Sequence, residues 1–160
     1  MEQHINTWKA AISAALGLLT GLWGWLGWLV VGWAALMALD YISGSAAAAK
    51  AGEWSSKVAR EGIWHKAGMI VVVLVAAGAD LLLELVLEQL PIVALPVTFG
   101  GLLCPLVLVW YCITELGSIA ENAVSMGAPC PKWLRKLLEA GKNAVDQAGD
   151  GLTGKEDGNE

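Results

Sequence analysis

The sequence predicts an all-α integral membrane protein with three to four membrane-embedded helices and a cytoplasmic amphipathic helix near the C-terminus. Two observations carry this prediction. Of the 160 residues, 56% are hydrophobic and 16% are charged, whereas soluble domains carry about 25% charged residues. The uncharged residues also form three long blocks, at 10–39, 67–79 and 89–114. Because about 20 apolar residues cross a bilayer as a helix, such blocks indicate a membrane protein.

The first block is too long for one simple span. As a single helix, 10–39 measures about 45 Å and exceeds the hydrocarbon thickness by about half. Glycine is a poor helix former, and "TGLWGWLG" is rich in it, so we favour a hairpin of helices at about 6–22 and 25–42 with a bend at Trp23–Gly24. The alternative is one long tilted helix, with the N-terminus on the opposite side. A secretory signal is a poor fit because its apolar region runs only about 7–15 residues.

The other two blocks predict one span each, at about 66–87 and 91–113, and the former reaches past Asp80. Basic residues then set the orientation. The segment 40–66 carries four Lys and Arg residues, and the connection 84–90 carries none. The positive-inside rule therefore places the first segment in the cytoplasm and the connection outside.

The C-terminal part continues as a helix outside the membrane. Pro131 suits the first turn of a helix, and apolar residues at helical spacing follow it, which predicts an amphipathic helix at about 131–147. It lies either against the inner leaflet or on the rest of the protein as an ordinary cytoplasmic helix. Residues 1–148 thus form a single membrane domain, and the Gly-rich acidic segment 149–160 is expected to be a disordered tail.

Small residues in the first predicted helix indicate a helix–helix contact. Ser13, Gly17 and Gly21 recur every four residues, and such a stripe lets a second helix approach closely in lipid. The alternative is a Gly-rich segment that is simply flexible.

An acidic stripe, Asp80, Glu84 and Glu88, lies on one face of the third predicted helix because its members are four residues apart. Ionised side chains inside a bilayer seek water or a partner. One interpretation has the stripe solvated from outside. The other makes it one wall of a hydrophilic lesion formed when several copies turn these faces together.

A polar belt is predicted where the helices meet the cytoplasmic surface. Four of its members follow steps of four, three and four and therefore share one helix face. We expect the belt to fix the helix ends against each other by hydrogen bonds and ion pairs, and a gating role stays open. Its members are Asp40, Tyr41, Lys66, Tyr111, Glu115, Ser118 and Asn122.

The sequence contains no pattern that indicates an enzyme. It has no nucleophile paired with a base, no phosphate-binding loop and no His/Cys/Asp cluster, so no catalytic, cofactor or metal site is predicted. The three cysteines, Cys104, Cys112 and Cys130, have no ligand spacing. The absence of a basic aromatic face also argues against nucleic acid as a partner.

Four stretches together resemble the toxin-secretion/phage-lysis family of holins. They are "LMALDYISGSAAA", "SSKVAREGIWHKA", the apolar helix that ends in Asp80, and "YCITELGSIAENAVSMGAPCPKWLRKLL". The last is the most specific, and the resemblance covers roughly residues 8–140. Ser43 stands where many relatives have Thr, and the pair Glu84 and Glu88 lies outside the family pattern.

The resemblance implies a lysis function in the bacterial cytoplasmic membrane. Holins accumulate, form homo-oligomers and open suddenly, which collapses the proton-motive force and releases an endolysin or, in some relatives, a toxin. Two alternatives stay open at this point. One is a small solute channel or transporter that uses Asp80 as a coupling carboxylate, and the other is an antiholin-like regulator that blocks a holin.

Overall fold

The computed structural model describes residues 24–89 and 101–153, together with positions 9, 10, 13, 14, 17 and 21 near the N-terminus. The two continuous ranges form four helices and no strand, so the predicted all-α class is confirmed. The helices are α1 (Trp25–Ala51), α2 (Ser56–Gln89), α3 (Leu103–Ser125) and α4 (Lys132–Thr153). The helix predicted at 6–22 lies largely outside the described residues, and so does Trp23.

Helix α1 extends nine residues beyond the end predicted at 42. The helix continues through the run "SAAAAKA", because alanine has the highest helix propensity. It ends at Gly52, whose φ of 74° is readily adopted only by glycine. There the N–H of Gly52 donates to the Ala49 carbonyl and that of Glu53 to the Ala48 carbonyl, which closes the last turn.

Helix α2 begins ten residues before the start predicted at 66. Ser55 explains this start, because its Oγ accepts a hydrogen bond from the Val58 N–H at 3.3 Å, as an N-cap residue does. The charged residues between 56 and 66 therefore lie on the first turns of the same helix that continues as the apolar span.

Helix α3 was predicted at 91–113 and instead runs from Leu103 to Ser125. The predicted end rested on the charge of Glu115, but this carboxylate is buried and paired, so the helix continues through it. Gly127, with φ 96°, ends the helix by donating its N–H to the Val124 carbonyl at 2.8 Å. The predicted first part of this span, 91–100, lies outside the described residues.

Helix α4 continues through Thr153, so the first residues of the predicted tail are helical. Residues 154–160 lie outside the described ranges. After Met126 the chain turns back, and α4 runs antiparallel along α3, where a Cβ added to Gly141 would lie 3.3 Å from Ile113 Cδ1. The helix predicted to be cytoplasmic or interfacial therefore packs along an apolar helix.

Helix α3 occupies the centre of the bundle and contacts the other three helices. It runs parallel to α1 and antiparallel to α2 and α4. The contact between α1 and α3 includes the stacked rings of Trp33 and Tyr111, whose centroids are 5.9 Å apart. Among the described residues, the buried apolar core includes Trp33, Met69, Val73, Ala76, Cys104 and Leu108.

The outside of the bundle is apolar over a long stretch. Val71, Leu74, Val75 and Leu82 on α2 are each about 60% exposed, and soluble monomers rarely expose so large an apolar surface. Helices α1, α2 and α3 contain 27, 34 and 23 residues and are long and apolar enough to cross a membrane. Lipid is therefore the solvent that this surface fits.

Candidate functional site

A buried polar cluster joins α1, α2 and α3 in the half of the bundle nearest the α1–α2 turn. The Lys66 ammonium lies 2.9 Å from Asp40 Oδ2 and 2.6 Å from Glu115 Oε2. The side chain of Glu115 is only 3% exposed, and those of Lys66 and Asp40 are 15% and 20% exposed. One ammonium thus faces two carboxylates from two different helices, which ties all three spans together.

Asn122 completes this cluster from the last turns of α3. Its Nδ2 donates to Asp40 Oδ1 at 3.0 Å and to Ser43 Oγ at 3.0 Å. The Ser43 hydroxyl in turn donates to the Asp40 carbonyl at 3.1 Å. A Cβ on Gly44 would lie 3.4 Å from Asn122 Nδ2, so a small residue here lets the two helices come close. We call Asp40, Ser43, Lys66, Glu115 and Asn122 the polar cluster.

The structure thus brings together four of the seven predicted belt residues and separates the other three. Tyr41 is half-buried on α1 against the backbone of Gly62. Tyr111 lies one turn before Glu115 and stacks on Trp33 rather than joining the polar contacts. Ser118 lies in the groove between α3 and α4. Ser43, which was not predicted as a site residue, follows Asp40 by three positions, and this helical spacing was the available signal.

Asp80 caps the start of α3 from across the bundle. It is 7% exposed, and its two carboxylate oxygens accept the N–H groups of Leu103 at 3.0 Å and Cys104 at 2.8 Å. The first turn of a helix leaves such N–H groups without partners, and it carries a partial positive charge. Pro105 has no N–H, and the Leu106 N–H reaches the Leu102 carbonyl, so this turn is fully satisfied.

The other predicted acidic residues behave differently from Asp80. Glu84 and Glu88 are exposed towards the end of α2, whereas the Asp80 carboxylate is buried in its cap. The described positions of the N-terminal stripe, Ser13, Gly17 and Gly21, are exposed. A Cβ added to either glycine meets no atom within 4 Å.

The two buried polar sites lie at opposite ends of an apolar layer. Lys66 and Asp80 are fourteen residues apart on α2, which is about 21 Å along a helix axis. A bilayer's hydrocarbon is about 30 Å thick. The polar cluster and the Asp80 cap therefore fit near the two edges of the hydrocarbon, where each satisfies polar groups that lipid cannot.

Helix α4 makes polar contacts in the middle of this layer. Trp110 Nε1 donates to Asp146 Oδ1 at 2.6 Å, and Lys142 Nζ lies 4.4 Å from the centre of the Trp110 ring. Trp110 is about 9 Å from Cys104 and about 7.5 Å from Glu115 along α3. An ionised Asp or Lys at the bilayer centre costs about 2.5–3.5 kcal/mol on insertion scales, so lipid is a poor solvent for α4.

Within the described ranges, no group of three or more His, Cys, Asp or Glu residues is arranged to hold a metal ion. Cys104, Cys112 and Cys130 are free thiols. The polar cluster has no exposed nucleophile, and its carboxylates are engaged by Lys66 and Asn122. The hydrogen bonds and ion pairs of the polar cluster therefore join three helices to one another.

Three apolar helices, linked by buried ion pairs and coated with lipid-compatible side chains, define a small multi-pass membrane protein. The chain belongs to the bacteriophage holin family, which it matches over residues 17–143. The family membership predicted from the sequence motifs is confirmed, and this family is not one of enzymes.

Curated relatives extend over most of the chain. The uncharacterized protein BH0965 of Halalkalibacterium halodurans is 33% identical over 139 residues, which cover 86% of this chain and 93% of the relative. An uncharacterized 14.9 kDa protein in the nagH 3' region of Clostridium perfringens is 28% identical over 87% of this chain and 96% of its own length. The uncharacterized protein Lmo0128 of Listeria monocytogenes is 33% identical over 62% of this chain and 61% of its own. No solved structure matches the chain significantly.

Proposed function

We propose that this protein is a holin that associates with further copies in the bacterial cytoplasmic membrane and opens a lesion there. The lesion collapses the membrane potential and lets an endolysin or a secreted toxin leave the cytoplasm. Family membership over residues 17–143 carries the proposal. The exposed apolar surface of α2 supports it, because this surface fits lipid or a neighbouring copy.

The orientation follows from charge. The turn between α1 and α2 has Lys50, Lys57 and Arg60 near it, whereas the far end of α2 carries Glu84 and Glu88. In this proposal the basic end and the C-terminus face the cytoplasm in the intact membrane, and the acidic end faces outside. The bilayer and further copies of the chain are its direct partners, and the endolysin or toxin is linked to it only through the lesion. No enzymatic step is part of this function.

The polar cluster keeps each copy folded before assembly. Lys66 holds carboxylates of two other helices at 2.9 Å and 2.6 Å, and removing one partner from such a buried group costs about 3–5 kcal/mol. The three spans thus form a preassembled unit. Association of complete units, rather than separation of their helices, opens the lesion.

Induced expression of this chain alone in a bacterium tests the proposal, with membrane potential followed by a voltage-sensitive dye. The expected result is normal growth followed by abrupt depolarisation after a delay, and co-expressed endolysin then clears the culture. A preserved potential, with the protein shown to be in the membrane fraction, contradicts it. If such cells also resist an independent holin, the chain is an antiholin-like regulator, and solute flux without killing indicates a channel or transporter.

A further inference from the structure

One side of α4 carries all of its charged residues. From Lys132 to Asp150, four basic and three acidic residues follow helical spacing onto this side, which we call the charged side of α4. All of its members are exposed except Lys142, which is half-buried against α3. They are Lys132, Arg135, Lys136, Glu139, Lys142, Asp146 and Asp150.

The opposite side of α4 has a different chemistry. It is formed by Trp133, Leu137, Ala140, Ala144 and Ala148, all of which are exposed. This side suits lipid or an apolar neighbour, whereas the charged side needs water. A helix with these two sides therefore fits a boundary between an apolar and an aqueous medium.

Helix α4 lies at a depth in the apolar layer where its charged side needs water. The contacts of Trp110 with Asp146 and Lys142 lie between the polar cluster and the Asp80 cap, in the centre of the apolar layer. A single copy surrounded by lipid on all sides leaves the charged side of α4 without water at this depth. Water must therefore border α4 whenever it is packed on α3 as in the structure.

We propose that the charged side of α4 forms the wall of the aqueous lesion. This inference rests on the proposed holin function and deepens it. In the intact membrane the basic start of α4 remains at the cytoplasmic surface. When copies assemble, α4 packs along α3. The charged side of α4 then faces the aqueous lesion, in the place where lipid had bordered the bundle. Four basic and three acidic groups leave this wall with little net charge, which suits the passage of solutes of either sign.

Single cysteines on the two sides of α4 test the proposal. In a background with Cys104→Ala, Cys112→Ala and Cys130→Ser, Asn143→Cys adds a thiol next to the charged side. Its matched control, Ala148→Cys, adds one on the apolar side. Purified protein is reconstituted in planar bilayers, and a permanently charged, membrane-impermeant methanethiosulfonate is added while current flows. The rate at which the reagent changes the current is measured.

The two variants are expected to differ because only a thiolate in water reacts readily. Asn143→Cys should be modified at least roughly tenfold faster than Ala148→Cys. Equal rates, or a faster rate at Ala148→Cys, overturn the assignment of α4 while leaving the holin function intact. A reconstituted wild-type protein that opens no conductance overturns both.

A disulfide test of the packing gives an independent readout. The pair Ile113→Cys and Gly141→Cys joins α3 to α4 where a Cβ at 141 approaches Ile113 Cδ1 to 3.3 Å. Oxidation should form this disulfide to a large extent in membranes taken after depolarisation and to a much smaller extent in membranes taken before it. The extent is measured by the loss of two maleimide-reactive thiols. The control pair Ile113→Cys and Ala144→Cys should stay open. No disulfide in either state, or equal closure of both pairs, contradicts the proposed position of α4.

Discussion

Replacing Lys66 by methionine should destabilise the folded bundle strongly. Methionine keeps an unbranched apolar side chain, but it removes the only ammonium that contacts Asp40 and Glu115 among the described ion pairs. The Glu115 side chain is 3% exposed, so solvent cannot take over the role of Lys66. Removal of one partner from a buried ion pair costs about 3–5 kcal/mol. Glu115 loses its ammonium partner and Asp40 keeps only the hydrogen bond from Asn122, so we expect the free energy of unfolding to fall by an amount within this range.

Two further variants make the test specific. Lys57→Met breaks an exposed pair with Glu61 whose charged atoms are 3.8 Å apart, and both side chains are at least 67% exposed. Such surface pairs contribute about 0–1 kcal/mol, so this control should change little. The double variant Lys66→Met/Glu115→Leu removes the buried carboxylate as well. It should recover much of the loss, because apolar replacement of a buried ion pair is often neutral.

The assay is equilibrium unfolding of the purified protein in detergent micelles by a denaturing detergent, followed by helical circular dichroism. The reasoning requires that Lys66→Met loses several times more stability than Lys57→Met. It also requires that the double variant is more stable than Lys66→Met alone. A Lys66→Met protein as stable as the Lys57→Met protein, or a double variant with simply additive losses, would refute the interpretation of the polar cluster.

Three other variants test the remaining contacts. Asp80→Ala leaves the part-buried N–H of Leu103 and the buried N–H of Cys104 without their acceptor. It should lower the free energy of unfolding by about 1–3 kcal/mol for the buried group, whereas Glu84→Gln, at an exposed site, should not change it measurably. Gly44→Leu should weaken the α1–α3 contact and lower the unfolding midpoint in the same assay, and Gly32→Leu, where an added Cβ meets nothing within 4 Å, should not. Gly17→Leu places a large side chain in the N-terminal stripe of small residues. It should shift the delay before depolarisation without changing the amount of protein in the membrane. An unchanged delay would argue against this stripe as a contact between helices.

The general architecture could be predicted because it depends on long uncharged blocks and on the spacing of polar residues. The sequence could also predict that Asp40, Lys66, Glu115 and Asn122 lie close together, since residues that lipid cannot solvate must contact one another. The sequence pattern placed them at one depth on three helices. It could not show which carboxylates share the lysine, because this depends on the rotation of each helix.

Helix ends were harder to predict where charge was treated as a stop signal. Glu115 lies in the middle of α3 because Lys66 neutralises it, and the alanine run after Ser45 continues α1 because Gly52, not the run itself, ends the helix. Asp80 was grouped with Glu84 and Glu88 by spacing alone. Its actual partners are backbone N–H groups of another helix, which no side-chain pattern reveals.

The position of α4 was the feature that the sequence predicted least well. Its amphipathic spacing predicted a helix with one apolar side, but both the inner leaflet and another helix satisfy such a side. In the structure, the contact between Trp110 and Asp146 holds α4 along α3. Neither residue stands out in the sequence, because one lies in an apolar span and the other in a charged segment.

Release of trapped cargo from liposomes tests the central claim most directly, because it needs only this chain and lipid. Purified protein is reconstituted at rising protein-to-lipid ratios into vesicles that hold both a small dye and a fluorescent protein of endolysin size. The account predicts that both are released together and abruptly above a threshold ratio. Vesicles that stay sealed at every ratio, or that lose only the small dye, would contradict it.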